Sequence, residues 1–292
     1  MPAARKHFGK LIGPAALFLA CGLFFSHLPA LASENAFEPL KKRLAADGFS
    51  PARISAAFQP EVAPQFHTIA VCMRIREGKL NYGQFVTPSA VAEGQRFIRA
   101  HDSTFAKAEA MYGVERSVIA AIMLVETHFG SYTGKTPTLA ILSTFALMDQ
   151  KGQRDRIWRL LSERDREKWD REAFDKKLVD RSNWAYGEIR ALFRLADRQG
   201  TRLPALKGSV MGAIGWPQFL PSSLERYGAD GNRDGRIDLF QPADAIFSTA
   251  NYLRGYGWCE AKNQSQKEEV IWNYNHSKSY VRTVLALARH LE

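Results

Sequence analysis

The chain has 292 residues, of which 46% are hydrophobic and 24% are charged. This composition is typical of a globular protein with one large or two small domains, and it excludes a disordered or collagen-like chain. Three cysteines are too few for a disulfide scaffold, and no CxxC pair indicates a zinc or redox motif. The net charge of +10 favours an anionic partner.

The N-terminus has the three parts of a secretory signal peptide. A basic segment over 1–10 precedes an apolar run over 11–28, and a small-residue A-x-A site follows at 30–32. We therefore predict a signal peptide over 1–32 and a periplasmic mature protein. Two alternatives remain open, an uncleaved membrane anchor and lipidation at Cys21.

Removal of that segment takes away three of the 40 basic residues and none of the 30 acidic ones, which leaves a net charge of +7. Export and the absence of RNA-binding or zinc-finger patterns argue against nucleic acid, so a membrane surface or a carboxylate-bearing wall polymer fits better. An oxidising periplasm would allow Cys72 and Cys259 to pair, and the sequence leaves open whether they do.

Helical periodicity dominates the chain and predicts a mainly α fold. The charged segment 150–180 predicts a solvated helical hairpin in which opposite charges interleave. Glycine and proline cluster over 203–221 and 228–242, and we expect functional residues in these two loops. The predicted helices cover 89–113, 118–129, 139–148, 180–199, 242–256 and 279–291.

Glu126 is a single carboxyl at the end of an apolar run that starts at Val118. Burial disfavours the charged form of a carboxyl and raises its pKa, as a general acid near neutral pH requires. The alternative is a capping or ion-paired glutamate at a helix end.

The segment 207–223 contains three glycines, two prolines and several aromatic or amide side chains. Sugars bind to this mixture, because their apolar faces stack on aromatic rings and their hydroxyls bond to amides. A tight structural connection is the alternative. Downstream, Tyr274, Asn275 and Ser277 fit either a groove wall or a helix start, and His276 has no second histidine at metal-ligand spacing.

The segment 230–241 has the spacing of an EF-hand calcium loop. Oxygen-bearing side chains occupy positions 1, 3, 5 and 9, and glycine occupies position 6. Position 12 is Gln241 rather than glutamate, but Asp244 could supply the missing carboxylate. The loop predicts a structural calcium site, with an acidic turn as the alternative.

Together these segments resemble the membrane-bound B type of lytic transglycosylases, exported enzymes that cleave peptidoglycan and have a lysozyme-like core. The resemblance begins near residue 85 and continues to the C-terminus. It depends on motifs in the family's order: Tyr112-Gly113-Val114, Val125-Glu126-Thr127-His128-Phe129-Gly130, Gly134-Lys135-Thr136, the 208–223 loop, the calcium-like loop and Tyr274-Asn275-His276-Ser277.

The resemblance implies that Glu126 is the only catalytic carboxyl. It would protonate the oxygen between N-acetylmuramic acid and N-acetylglucosamine and then act as a base toward the muramyl 6-hydroxyl. The product would be a 1,6-anhydromuramyl end, and the sugar's N-acetyl group would replace the second carboxylate that ordinary glycosidases use. No cofactor is expected for the chemistry.

The resemblance also implies roles for the loop residues. Ser209 would hydrogen-bond the catalytic carboxyl and Gln218 would contact the glycan, while Tyr274 and Asn275 would line the cleft. The implied metal ligands are Asp230, Asn232, Asp234, the Arg236 carbonyl and Asp244.

The sequence departs from the family pattern in two places. Ile214 and Leu220 replace methionines of the glycine-rich loop, and only a short segment separates Trp258 from Ile271, where better-known members carry a small β domain. We therefore expect a monomeric, lysozyme-like helical core with an EF-hand-like loop and without that β domain. The predicted division is a signal peptide (1–32), a helical extension (33–84) and a catalytic domain (85–292) with a helical subdomain inserted at 150–205.

Two other functions remain open. A hydrolytic muramidase would need a second carboxylate across the cleft, and Asp149 is the nearest by sequence. A non-catalytic peptidoglycan-binding module would not need Glu126.

Overall fold

A computed structural model describes residues 36–74 and 82–292. The predicted signal peptide lies outside these residues. Helices are the dominant secondary structure of the described chain, which confirms the mainly α prediction. Its helices are α1 (Glu38–Ala46), α2 (Pro51–Ala57), α3 (Phe66–Arg74), α4 (Pro88–Ala100), α5 (Asp102–Tyr112), α6 (Arg116–Thr127), α7 (Thr138–Ala146), α8 (Lys151–Leu160), α9 (Glu163–Arg166), α10 (Arg171–Gln199), α11 (Pro221–Tyr227), α12 (Pro242–Gly255), α13 (Gln264–Tyr274) and α14 (Lys278–Leu291).

Helix α6 lies at the centre of one half of the fold. Every residue from Ser117 to Thr127 is buried, because the helix is apolar on all sides and is covered by α14, α4, α5 and α12. The other half is organised around the long helix α10, which packs against α7 and α11.

A two-stranded antiparallel sheet joins the segment after α6 to the glycine-rich loop. Strand β1 (Thr136–Pro137) pairs with β2 (Lys207–Gly208), so that Thr136 lies opposite Gly208. Within the described ranges this is the only sheet, and α13 occupies the segment where relatives were expected to carry a small β domain. The expectation that this domain is missing is therefore confirmed.

Two helix predictions need correction. The segment 89–113 is not one helix but two, α4 and α5, which are separated at His101. The acidic and hydroxyl residues that follow His101 are typical of a new helix start, and this signal outweighs the continuous apolar spacing. Helix α10 begins at Arg171 rather than near 180, because the Asp170 carboxylate caps it by accepting from the Ala173 amide at 2.8 Å.

The charged segment 150–180 forms α8, α9 and the start of α10 rather than a simple hairpin. Its opposite charges interleave as predicted: Arg171 pairs with both Asp155 and Asp175. The segment is not wholly solvated, because Ile157 and Phe174 are fully buried. The predicted division at 84/85 and the inserted subdomain stay predictions.

Cys72 and Cys259 do not form a disulfide. Cys72 is buried with its Sγ 3.8 Å from the Val210 carbonyl oxygen, whereas Cys259 is exposed with its Sγ 2.9 Å from the Tyr112 carbonyl oxygen. In the part of the chain that the structure describes, no helix has both the length and the apolar character needed to cross a bilayer.

Candidate active site

The Glu126 carboxyl lies in the last turn of α6 and is 2% exposed. Its Oε1 accepts a hydrogen bond from the Tyr280 hydroxyl at 2.7 Å, and its Oε2 is buried without a hydrogen-bond partner. Burial raises the pKa of this carboxyl to about 8, and the Tyr280 hydrogen bond opposes the shift. The group is therefore protonated at neutral pH, and a proton on Oε2 would be available for donation.

The chain turns sharply after α6. His128 and Phe129 both adopt left-handed backbone conformations, with φ of 46° and 51°, which is unusual for two consecutive residues with side chains. Gly130 follows with φ +86°, and a Cβ there would lie 2.1 Å from Nε1 of Trp216. Only glycine fits this position, and the turn brings the glycine-rich loop against the end of α6.

Thr127 connects the turn to that loop. Its hydroxyl donates to the Trp216 carbonyl oxygen at 2.8 Å and accepts from the Gly130 amide at 3.0 Å. The side chain is 1% exposed, so both bonds are shielded from water. Thr127 therefore fixes the backbone next to Glu126 from two directions.

Tyr274 and Tyr280 complete one wall of the site. Their rings stack with centroids 6.3 Å apart and planes at 9°, and the Tyr274 hydroxyl donates to the Pro217 carbonyl oxygen. Burial, and secondly the charge of Glu126, raise the pKa of both phenols well above the usual range. Both therefore stay neutral hydrogen-bond donors. Ser277 caps α14 by accepting from the Tyr280 amide, as predicted for a helix start.

Asn275 is buried next to Tyr274, and neither polar atom of its carboxamide has a hydrogen-bond partner. A buried amide without partners costs free energy and is rare in native proteins. A polar ligand that reached this side chain would supply the missing bonds.

Ser209 does not make the bond that was expected. Its hydroxyl oxygen accepts from the Ala213 and Met211 amides at 3.0 and 3.3 Å, while the hydrogen bond to Glu126 comes from Tyr280. The serine instead closes the turn of the glycine-rich loop, because two backbone amides point at its hydroxyl. No Ser209–Glu126 hydrogen bond occurs among the described residues.

Gln218 is 2% exposed and has φ of 52°. Its Nε2 donates to the carbonyl oxygens of Gly215 and Thr133 at 2.8 and 3.2 Å, and its Oε1 is buried without a partner. The amide therefore joins the glycine-rich loop to the segment after α6, and only its oxygen remains for a ligand.

The predicted metal residues lie in a separate loop that packs behind the glycine-rich loop, where the Trp216 amide donates to the Leu239 carbonyl oxygen. Asp230 and Asn232 accept from loop amides, as does Asp234, whose partner is the Arg236 amide at 2.9 Å.

The fully buried Asp244 accepts from three further amides of the loop, and burial raises its pKa. No group of three or more acidic, histidine or cysteine side chains converges as a metal site in residues 36–74 and 82–292. The donor set has the oxygen chemistry that Ca²⁺ prefers, but these oxygens are turned onto backbone amides.

The sequence analysis missed Tyr280 and Thr127. The signal for Tyr280 was a phenol on the otherwise aliphatic face of α14, and the signal for Thr127 was a hydroxyl directly after the candidate acid. Asp149 is exposed in the turn that follows α7, and no acidic group within residues 36–74 and 82–292 contributes to the pKa of Glu126.

Comparison with known proteins identifies the family. The model of the transglycosylase SLT domain matches residues 32–269, which is most of the chain. The chain belongs to this family. Over 176 residues it is 32% identical to the membrane-bound lytic murein transglycosylase B of Escherichia coli K12, and the match covers 60% of this chain and 40% of that protein.

Solved structures of lytic transglycosylases share the fold. The soluble lytic transglycosylase SltB1 of Pseudomonas aeruginosa superposes with a TM-score of 0.69 at 22% identity, over 87% of this chain and 97% of that chain. The Escherichia coli lytic transglycosylase Slt35 in complex with calcium gives 0.67 at 22% identity, over 89% and 93%.

Proposed function

We propose that this chain is a peptidoglycan lytic transglycosylase that cleaves the β-1,4 bond between N-acetylmuramic acid and N-acetylglucosamine without consuming water. One observation carries the proposal: Glu126 is a buried carboxyl with a pKa of about 8, held at Oε1 by Tyr280 and without a partner at Oε2. Family membership and the 32% identity to a murein transglycosylase support it.

In the first step the protonated Oε2 of Glu126 donates its proton to the glycosidic oxygen, and the bond to the muramyl C1 breaks. The developing positive charge at C1 is stabilised by the substrate's own N-acetyl group. The resulting Glu126 carboxylate then removes the proton of the muramyl 6-hydroxyl, whose oxygen attacks C1 and closes the 1,6-anhydro ring. At the end of the reaction the Glu126 carboxyl is protonated again, as it was at the start.

A single carboxyl is sufficient for these two reaction steps. Hydrolytic glycosidases commonly use two carboxyl groups on opposite sides of the bond. In the part of the chain that the structure describes, no acidic neighbour influences the pKa of Glu126, and Asp149 is exposed. These two observations favour the anhydro product over hydrolysis.

The test is mass spectrometry of the soluble fragments released from peptidoglycan sacculi by the purified protein. Fragments with anhydromuramic ends, absent with Glu126→Gln, are the expected result. Reducing muramyl ends would mean that water attacks and that the protein is a muramidase. Binding without any fragments, from protein that is folded, would mean a non-catalytic wall-binding module.

The cleft residues take roles that their geometry supports. Asn275 would bond to the sugar through its two unpartnered polar atoms, and Tyr274 would form the wall beside the cut bond. Gln218 would contact the glycan through its Oε1, and Ser209 would shape the loop that the glycan crosses.

A calcium ion would stabilise the acidic loop without taking part in the reaction. Its ligands would be Asp230, Asn232, Asp234, the Arg236 carbonyl and Asp244. The oxygen-rich donor set supports this assignment, and the relative Slt35 was solved in complex with calcium. Binding would require these oxygens to exchange loop amides for the ion.

The N-terminal segment 1–32 would direct a monomeric protein to the periplasm, with 33–84 as a helical extension and 85–292 as the catalytic domain. The basic, apolar and small-residue order of 1–32 supports export. Sequencing of the N-terminus of the mature protein tests it, and a start at Ser33 is expected.

A further inference from the structure

Three tyrosines form a cluster next to Tyr274. Tyr227 is the last residue of α11, Tyr252 lies in α12, and Tyr256 follows the end of α12. The Tyr252 ring centroid is 4.6 Å from that of Tyr256 and 4.9 Å from that of Tyr227, and the Tyr227 and Tyr256 centroids are 5.6 Å apart. We call these three residues the tyrosine cluster.

The tyrosine cluster is continuous with the catalytic wall. The Tyr252 ring lies 4.8 Å from Tyr274, which in turn stacks on Tyr280, the partner of Glu126. The row of rings therefore leads from the catalytic carboxyl to the surface, where Tyr256 is 36% exposed. A glycan in the cleft would bring its substituents close to this end of the row.

The backbone is built to admit the ring of Tyr227. A Cβ on Gly255 would lie 2.5 Å from Cε1 of that ring, so glycine is required for the contact. The Asn251 carboxamide also donates to the Tyr227 carbonyl oxygen at 3.0 Å. These contacts hold the end of α11 against α12.

Arg226 lies next to the tyrosine cluster. Its guanidinium carbon is 5.9 Å from the centroid of the Tyr227 ring, and its side chain is exposed. The buried Tyr252 hydroxyl donates to the Asn273 carbonyl oxygen at 2.7 Å. Burial raises the pKa of Tyr227, which keeps the phenol neutral and able to donate. Among the described residues Arg226 forms no ion pair.

The acidic neighbour of Arg226 is already engaged. The Glu225 carboxylate accepts two hydrogen bonds from Arg194 in a bidentate ion pair, both at 2.7 Å, and one from Arg198 at 2.8 Å. Because the hydrogen bonds of Glu225 go to Arg194 and Arg198, the Arg226 guanidinium keeps its donors for another anion. An exposed guanidinium and the hydroxyl of the partly exposed Tyr256 supply the donors that a carboxylate prefers.

We propose that Arg226, Tyr227 and Tyr256 form an accessory site that binds a carboxylate of the peptide carried by the glycan strand. This inference rests on the proposed function, because it assumes that peptidoglycan occupies the cleft. The site would make the enzyme prefer strands whose peptides have free carboxylates.

Three substrates test the site: glycan strands with intact peptides, the same strands with the peptide carboxylates converted to amides, and strands stripped of peptide. We expect the wild-type kcat/KM to be about fivefold higher for intact than for amidated strands, as an exposed charged pair allows. Arg226→Gln should bring this ratio close to one and leave cleavage of stripped strands unchanged.

Two further variants separate the site from general effects. Tyr256→Phe removes one hydroxyl and should lower the ratio partly. Lys176→Gln removes one positive charge from a largely exposed lysine on α10 and should leave the ratio unchanged. Cleavage of stripped strands reports in each variant whether the protein is folded and active.

The outcomes distinguish this inference from the proposed function. An equal ratio for wild type and Arg226→Gln, or the same fall in Lys176→Gln, would overturn the accessory site while cleavage of stripped strands supported the transglycosylase. A loss of activity on all three substrates in Arg226→Gln would also overturn the site, since it indicates a general defect. A wild type that cleaves none of the substrates would overturn both proposals.

Discussion

The Tyr280 hydroxyl donates to Oε1 of Glu126 at 2.7 Å, although 154 residues separate the two in the chain. This bond orients the carboxyl and leaves Oε2 as the oxygen that faces no protein donor. It also stabilises the charged form, and so limits how far burial raises the pKa of Glu126.

Replacement of Tyr280 by phenylalanine should therefore raise the pKa of Glu126 further. Because kcat/KM requires the protonated acid, we expect its alkaline limb to move up by roughly one pH unit, with kcat lowered roughly tenfold by loss of orientation. The pH profile of fragment release measures both. Tyr186→Phe, which removes a tyrosine hydroxyl bonded to Asp47 far from the site, should change neither. An alkaline limb that stays in place in Tyr280→Phe would contradict the assigned role.

Glu126→Gln should make the protein more stable at alkaline pH. Between the ordinary pKa near 4.5 and the folded pKa of about 8, the folded protein holds a proton that the unfolded chain has lost, so the free energy of unfolding falls as pH rises through this window. The neutral amide escapes this loss. We expect a gain on the order of 2–4 kcal/mol at pH 8 and little difference near pH 4.5, measured by denaturant unfolding.

Glu188 offers the matched control for that experiment. It is also buried with a raised pKa, but both of its oxygens accept hydrogen bonds from Ser222. Glu188→Gln breaks a satisfied pair of bonds and should not stabilise the protein. An equal gain in both variants would mean that the effect is not specific to Glu126.

Thr127→Val should weaken the junction between α6 and the glycine-rich loop. The change removes the hydroxyl that bonds to Trp216 and Gly130 at almost constant volume, so it leaves two backbone groups without partners and should cost about 1–3 kcal/mol of stability. We expect kcat to fall at least tenfold with a smaller change in KM. Thr127→Ser keeps the hydroxyl and should recover most of the activity; equal losses in both variants would indicate a packing effect instead.

Calcium should raise the melting temperature if the acidic loop binds it. At calcium concentrations near 100 Kd we expect a rise of about 5 °C or more, reversed by a chelator. Asp244→Asn should remove most of this response, and magnesium should reproduce little of it because it demands smaller, octahedral sites. A melting temperature that does not change with calcium, or a calcium-dependent rise that persists in Asp244→Asn, would contradict the assignment of a calcium site to this loop.

Local patterns were sufficient to predict most of the helices and the candidate acid. The apolar run before Glu126 predicted a buried helix, because burial on all sides leaves the same signal in any tertiary context. The separation of α4 from α5 at His101 was missed, since apolar spacing continues through the break while the helix-start residues after it are weak signals.

The hydrogen-bond partners of the site residues could not be predicted from local sequence patterns. The choice between Ser209 and Tyr280 as the donor to Glu126 depends on how the glycine-rich loop folds back on itself, and in this loop the amides of Met211 and Ala213 take the serine oxygen. Hydrogen bonds between residues far apart in the chain depend on tertiary packing, and the spacing of residues in the sequence does not predict them.

The docking of α14 has a consequence for the timing of activity. Tyr280 lies near the start of α14, so a chain still emerging from the ribosome or the export channel has Glu126 long before it has the phenol that orients it. Contacts between distant parts of a chain form late in folding. An incompletely synthesised or truncated chain that ends before α14 would therefore be inactive, and we expect glycan cleavage only from the full-length protein.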